Sequence, residues 1–226
     1  MKKVIAVLLF FVLYAFLGTY NFASAMSYKE IQKAYYQSYF YESKGDYKKA
    51  IQSLMPVYKT YPKGYTVNLR LGWLYYLLKN YANSEAHYTT ALKVIPSSVE
   101  AMLGLSLPLM AQGRWKAVEK LMYRVLKIDY YNYYGNLRLC LALMKQRKYS
   151  VAEKVARKML AIYPTDVKFL NYLAECLYYK GKITYAKTIF EDTLILLPSN
   201  TIAKTYLKLI KKSENKKVLQ KKRNKK

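Results

Sequence analysis

The sequence predicts an all-α solenoid of five helix-turn-helix units of 34 residues, with one further helix capping its C-terminal end. Three observations predict it. Gly45, Lys79, Gly113, Arg147 and Gly181 stand 34 residues apart, each followed two positions on by a bulky side chain and three later by a compact one. Seventeen residues past these positions stand Pro62, Pro96, Tyr130, Pro164 and Pro198, four of them a residue that cannot continue a helix. Between these points apolar residues recur at the three- and four-residue spacing of a helix face. Self-similarity at this period marks units that bury their apolar faces only by stacking on their neighbours.

Taken in chain order, the first segment stands apart from the repeats. Lys2 and Lys3 precede an apolar run from Val4 to Leu17, and Ala23-Ser24-Ala25 offers the small residues a signal peptidase accepts. Residues 1–25 are read as an export signal. An uncleaved anchor is the alternative, since Val4 to Phe22 approaches the ~20 residues that span a bilayer, although Gly18, Thr19 and Asn21 weaken its second half. Either reading places the repeats outside the cytoplasm: the periplasm first, then full secretion or an inner-membrane anchor.

In the first helix of each unit, Leu71, Leu105, Leu139 and Leu173 form an apolar column, which Gln37 interrupts in the first unit. The next residue is always small: Ser38, Gly72, Ser106, Cys140, Ala174. Tyr41, Tyr75, Leu109, Leu143 and Leu177 complete that stripe. In the second helix, Leu54, Tyr88, Met122, Ala156 and Phe190 align with Val57, Ala91, Val125, Met159 and Thr193 as the facing stripe. Pro108, inside a first helix, removes the amide bond to Gly104 and is expected to kink the third unit. After Pro198, a helix from near Thr201 presents Ala203, Leu207 and Ile210 to the open end of the array. The solenoid with this cap spans 26–212. Residues 213–226, whose apolar content is Val218 and Leu219, are expected to form a disordered basic tail.

This layout resembles the tetratricopeptide repeat over residues 31–198, best kept in Leu71, Gly72, Tyr75, Tyr81 and Pro96 and in Leu173, Ala174, Gly181, Ala186 and Pro198. The resemblance implies a right-handed superhelix whose first helices line a concave groove for partner proteins. Fold alone carries no particular job. The groove positions are Tyr35 and Tyr39, then Leu69, Trp73 and Tyr76, then Leu103 and Leu107. The last two units add Tyr134, Leu137 and Leu141, then Asn171, Glu175 and Tyr178. Such a Tyr- and Trp-rich surface suits a peptide or protein partner, with Arg70 and Arg138 placed to pair with its acidic groups. The family's clamp for a terminal carboxylate is not carried over, because its places hold Tyr35, Tyr39, Arg70, Glu100 and Gly104, and later registers fail as well.

The formal net charge is +26. Lys211, Lys212, Lys216, Lys217, Lys221, Lys222, Arg223, Lys225 and Lys226 crowd the C-terminal end against the single acid Glu214, and the remaining excess is spread over the repeats. A field of that sign favours acidic lipid, anionic glycan or acidic protein. Export argues against nucleic acid. Cys140 occupies a small-residue column and is explained by packing; a bridge to Cys176 requires their alpha carbons within ~7 Å. The single histidine, His87, lies away from the apolar stripe and reads as a surface residue. There is no phosphate loop, nucleophile elbow or zinc spacing, and no cofactor or metal is expected. The reading is a non-catalytic scaffold or adaptor of a bacterial envelope. A module for anionic polysaccharide and a helper subunit of an envelope enzyme are the alternatives.

Overall fold

The computed structural model describes residues 25–223, with side chains described through 216 and at 220. The export segment therefore falls, except for Ala25, outside the described residues, as do Lys225 and Lys226. The helices pair as α1 (Tyr28–Ser43) with α2 (Tyr47–Thr60), α3 (Tyr65–Leu77) with α4 (Tyr81–Val94), and α5 (Val99–Ala111) with α6 (Trp115–Ile128). They continue as α7 (Tyr133–Lys145) with α8 (Tyr149–Leu160), α9 (Val167–Tyr179) with α10 (Ile183–Leu196), and close with α11 (Thr201–Arg223). No described helix is long and apolar enough to cross a membrane.

The five positions at 34-residue spacing all have left-handed backbone: Gly45 (φ 74°), Lys79 (φ 59°), Gly113 (φ 68°), Arg147 (φ 57°) and Gly181 (φ 76°). Each ends a first helix in the same way. In the first unit the Gly45 amide donates to the Glu42 carbonyl (2.8 Å) and the Asp46 amide to the Tyr41 carbonyl (2.9 Å), and the same pair of bonds recurs in every unit. This double bond satisfies carbonyls that a helix end leaves open. Lys79 and Arg147 adopt the conformation without glycine, at a cost of about 1 kcal/mol each. The second helix then starts at once. Asp46 and Asn80 cap it through side-chain oxygens, while Arg114, Lys148 and Lys182 provide no such bond.

The core is segmented. Leu54, Leu71 and Leu74 anchor one cluster in the first two units, Met122, Leu139 and Leu143 a second in the middle, and Phe169, Leu177 and Phe190 a third toward the end. From the second unit onward, neighbouring first helices pack directly on one another, whereas neighbouring second helices make no comparable contact. First helices consequently form the crowded inner row. Tyr88, from α4, wedges into this row: a β-carbon on Gly72 would lie 2.9 Å from its ring, and one on Gly104 would lie well inside contact distance of it. Pro108 sits in the last turn of α5, which continues through it as one helix rather than breaking.

Helix α11 covers the open end as expected, with Ala203 and Ile210 buried and Tyr206 stacked on Phe190 at 5.0 Å. It then departs from the expected tail. The basic end from 213 is helical as far as Arg223. Lys, Glu, Gln, Leu and Arg are strong helix formers, and neither Gly nor Pro interrupts them, so the helix extends beyond the residues it buries.

Candidate partner-binding groove

Side chains one turn apart on four successive first helices converge on a cavity of ≈ 510 Å³. Tyr35 and Tyr39 come from α1, Leu69 and Trp73 from α3, and Leu103 and Leu107 from α5. Arg138 on α7 closes one side, and Glu100 at the start of α5 stands near Tyr65, whose hydroxyl bonds Ser98 at 2.7 Å. Tyr88 completes the lining. Its ring is buried and it has no hydrogen-bond partner among the described residues, and burial pushes its pKa well above the ordinary tyrosine value. An unpaired hydroxyl at such a site is available to a ligand.

The two arginines do different work. Arg70 is 8% exposed, pairs with Glu42 at 2.5 Å, bonds Ser38 at 3.3 Å and lies 3.8 Å from the centre of the Tyr39 ring. Glu42 also accepts from the Trp73 indole at 2.6 Å. The expectation that Arg70 meets a ligand's acid is therefore corrected: its charge is neutralised within the fold. Arg138 has no such counter-charge. One of its nitrogens donates to the Leu103 carbonyl (2.5 Å) and the Ser106 hydroxyl (2.6 Å), and it forms no ion pair among the described residues. Burial presses its pKa down. A fixed, half-buried cation with donors to spare is a natural partner for a carboxylate.

Other groove positions lie elsewhere. Tyr76 is half-buried between Trp73 (5.7 Å) and Tyr81 (6.1 Å) and does not line the cavity. Tyr134 is exposed, with the Arg138 guanidinium 5.8 Å from its ring. Leu141 lines a separate hollow of ≈ 750 Å³ with Tyr149, Tyr172 and Glu175. Burial raises the Glu175 pKa, and the Tyr206 hydroxyl donates to it at 3.1 Å. Two positions are corrected outright. Asn171 is only 5% exposed, since α9 has α7 packed on one side and α11 on the other. Tyr178 packs on Tyr206 at 5.0 Å in the joint with the closing helix. On α11, Lys211, Lys212 and Lys216 are exposed, while the side chains of Lys217, Lys221, Lys222 and Arg223 lie outside the described ones. Sequence reasoning missed Tyr88, Tyr65 and Glu42. Two glycines, Gly72 and Gly104, facing one core tyrosine were the available signal for the first.

His87 is not the surface residue expected. It stacks on Tyr75 (5.2 Å between ring centres), meets the edge of Tyr58 and bonds Asn68 at 2.8 Å. Asn68 spends its amide on the Pro62 and Gly64 carbonyls, so its oxygen accepts and His87 Nδ1 donates. Burial lowers the His87 pKa. Its stabilising effect is thus complete above the unfolded value of ~6.5 and is lost as pH falls through the folded value. Thermal unfolding followed at pH 7 and pH 5 should show a larger acid-side loss for the wild type than for His87→Gln. Equal slopes would remove His87 from the acid response.

The cysteines do not pair. Both are free and buried, with Cys140 Sγ 3.7 Å from the Ala152 carbonyl and Cys176 Sγ 3.2 Å from Met144 Sδ.

Comparisons agree with this architecture. A family model described as "Tetratricopeptide repeat" matches residues 41–93. A stretch of 64 residues is 38% identical to the DnaJ homolog subfamily C member 7 homolog of Schizosaccharomyces pombe, covering 28% of this chain and only 13% of that protein. Among solved structures, a tetratricopeptide repeat protein from Parabacteroides merdae matches with a TM-score of 0.74 and 17% identity over 80% of this chain and 72% of its own. MamA matches at 0.68 and 17% identity, over 74% of this chain and 92% of that one. YrrB, described as a tetratricopeptide protein with an unusual peptide-binding site, matches at 0.67 and 12% identity, over 76% and 88%. The left-handed turn at every 34th residue, the inner row of first helices and these likenesses together give the chain the fold of a tetratricopeptide repeat solenoid, with residues 41–93 matching that family's model.

Proposed function

We propose that this protein is an exported, non-catalytic adaptor that holds an extended segment of a partner protein in the cavity of its first four units. The observation that supports this most directly is the lining itself: exposed Tyr39 and half-buried Leu107 beside the uncompensated Arg138 and the unpartnered Tyr88 hydroxyl. The ligand that fits carries an aromatic or aliphatic side chain for the apolar wall and an acidic group for Arg138. YrrB, of like fold, is described with a peptide-binding site. The export reading rests on Lys2, Lys3, the apolar run and Ala23-Ser24-Ala25, with the periplasm as the destination. Exposed Lys211, Lys212 and Lys216 on α11 give the protein a second means of attachment, to acidic lipid.

The test uses Tyr39→Ala combined with Leu107→Ala. Neither residue belongs to the buried core, so the melting temperature should stay within a few degrees of wild type, while capture of partner segments from a displayed peptide library should weaken about thirtyfold. Undiminished capture would move the site out of this cavity. Retained peptides lacking an acidic residue would remove Arg138 from the recognition. Binding of anionic glycan fragments with the same sensitivity to these substitutions would make the protein a carbohydrate module instead. Intact mass of envelope-fraction protein starting at Met26 supports export with cleavage; retention of residues 1–25 would mean an anchored adaptor.

A further inference from the structure

Because neighbouring second helices stand apart, a gap opens between α6 and α8 on the side away from the inner row. It is a recess of ≈ 560 Å³ lined by Tyr123, Val151 and Val155 above the buried Leu126 and Leu139. Tyr123 and Lys127 belong both to it and to a recess of ≈ 410 Å³ that runs along α6 past Lys116 and Lys120. The two adjoin there as one trough, whose end toward Lys116 is lined by α6 alone. From Lys116 to Lys127 it follows roughly 16 Å of helix at 1.5 Å per residue.

Its edges are basic on both sides. Lys116, Lys120 and Lys127 rise from α6 and Lys154 and Lys158 from α8, and none of the five forms an ion pair among the described residues. The acid in the lining, Glu119, is already held by Lys148 and Gln146, each at 2.7 Å. Lys158 is the most constrained of the cations. It donates to the Tyr130 carbonyl at 3.0 Å and sits 3.8 Å from the centre of the Tyr130 ring. Burial lowers its pKa, so a carboxylate arriving there relieves an uncompensated charge.

We propose that the trough between α6 and α8 docks an acidic amphipathic helix of a partner protein, its apolar stripe on exposed Tyr123 and Val151 and half-buried Val155 and its carboxylates against the lysine edges. Each half of the site excludes a rival. A flat bilayer meets lysines but cannot reach a recessed floor. An anionic polysaccharide would meet the lysines with its acidic groups but leave Val151 and Val155 without an apolar partner. A polynucleotide would satisfy the lysines with phosphate and leave the apolar floor wet. An acidic amphipathic helix uses both features, and such helices seat in grooves through residues one turn apart. This surface is separate from the cavity lined by Tyr39 and Leu107, and either can stand without the other.

The probe is a synthetic labelled helix of about four turns, with Leu on one face and Glu on its flanks, read by fluorescence anisotropy against the purified protein. It should bind more weakly as salt rises, and about tenfold more weakly to Lys154→Glu with Lys158→Glu. The exposed pair Lys120→Glu with Lys127→Glu should weaken it similarly, which covers the case that altering half-buried Lys158 disturbs folding. Tyr39→Ala with Leu107→Ala should leave it unchanged. Equal binding by a scrambled peptide or by polyglutamate would overturn the proposal, since charge alone would then suffice. So would wild-type affinity in the Lys120 and Lys127 variant. Binding of phosphatidylglycerol vesicles that these variants abolish, with no binding of the helix, would assign the trough to a lipid surface.

Discussion

Gly104→Ala should destabilise the protein by about 3 kcal/mol, a large effect for the addition of one methyl group. The alanine β-carbon would land well inside contact distance of the Tyr88 ring. The ring cannot retreat, because a β-carbon built on Gly72, at its other side, already falls at 2.9 Å. Either the first helices of the second and third units separate, opening the core, or Tyr88 leaves its place. A drop in melting temperature of roughly 6–12 °C is the expected reading for a chain of this size. Combining Gly104→Ala with Tyr88→Leu should cost less than the two changes summed, as expected for residues in direct contact. A Gly104→Ala protein that melts with the wild type would show that the helices are not in the tight approach described.

The second large effect falls on Glu42. This carboxylate pairs with buried Arg70 at 2.5 Å and accepts from Trp73 at 2.6 Å, so Glu42→Ala strands a cation that is 8% exposed and an indole donor together. Breaking a buried pair from one side costs about 3 kcal/mol, toward the low end of the usual range because Glu42 retains some solvent contact. Denaturant unfolding measures it. Glu42→Leu combined with Arg70→Met removes both charges at similar volume and should recover most of the loss. If the double change is as damaging as Glu42→Ala, the destabilisation comes from lost packing and not from the stranded charge.

These two sites also show what the sequence makes legible. The 34-residue period is readable because each column is set by local geometry: the small residue in the first helix, the stripe in the second, and the left-handed turn between them. Even there, Lys79 and Arg147 take the left-handed position without glycine, and the period rather than the residue type identifies them. The groove is readable only in part. Tyr35, Tyr39, Trp73, Leu107 and Arg138 meet in one cavity because a repeated helix face is a local property. Which cation remains free is decided by pairs that do not repeat: Glu42 reaches Arg70 in the next unit, and among the described residues no acid pairs with Arg138. Asn171 and Tyr178 fail for a related reason, since the closing helix changes what the last first helix can show to solvent. Tyr88 belongs to a core column by spacing, and only the approach of Gly72 and Gly104 carries it to the cavity.

The three separate clusters of buried residues bear on how the protein handles time as well as space. An array whose units are held chiefly by their neighbours opens from its ends, with terminal units exchanging between folded and frayed forms more readily than the middle. The cavity draws Tyr35 and Tyr39 from α1, at the outer end of the described array, and Arg138 from the interior α7. A segment held across both joins the part that frays to the part that does not, and each bound molecule withdraws the frayed form from the equilibrium. Amide protons of α1 should therefore exchange more slowly in the occupied protein, while those of α7 and α8 keep nearly the same rate. Under the proposed binding, the first unit would work as a latch that the ligand itself closes.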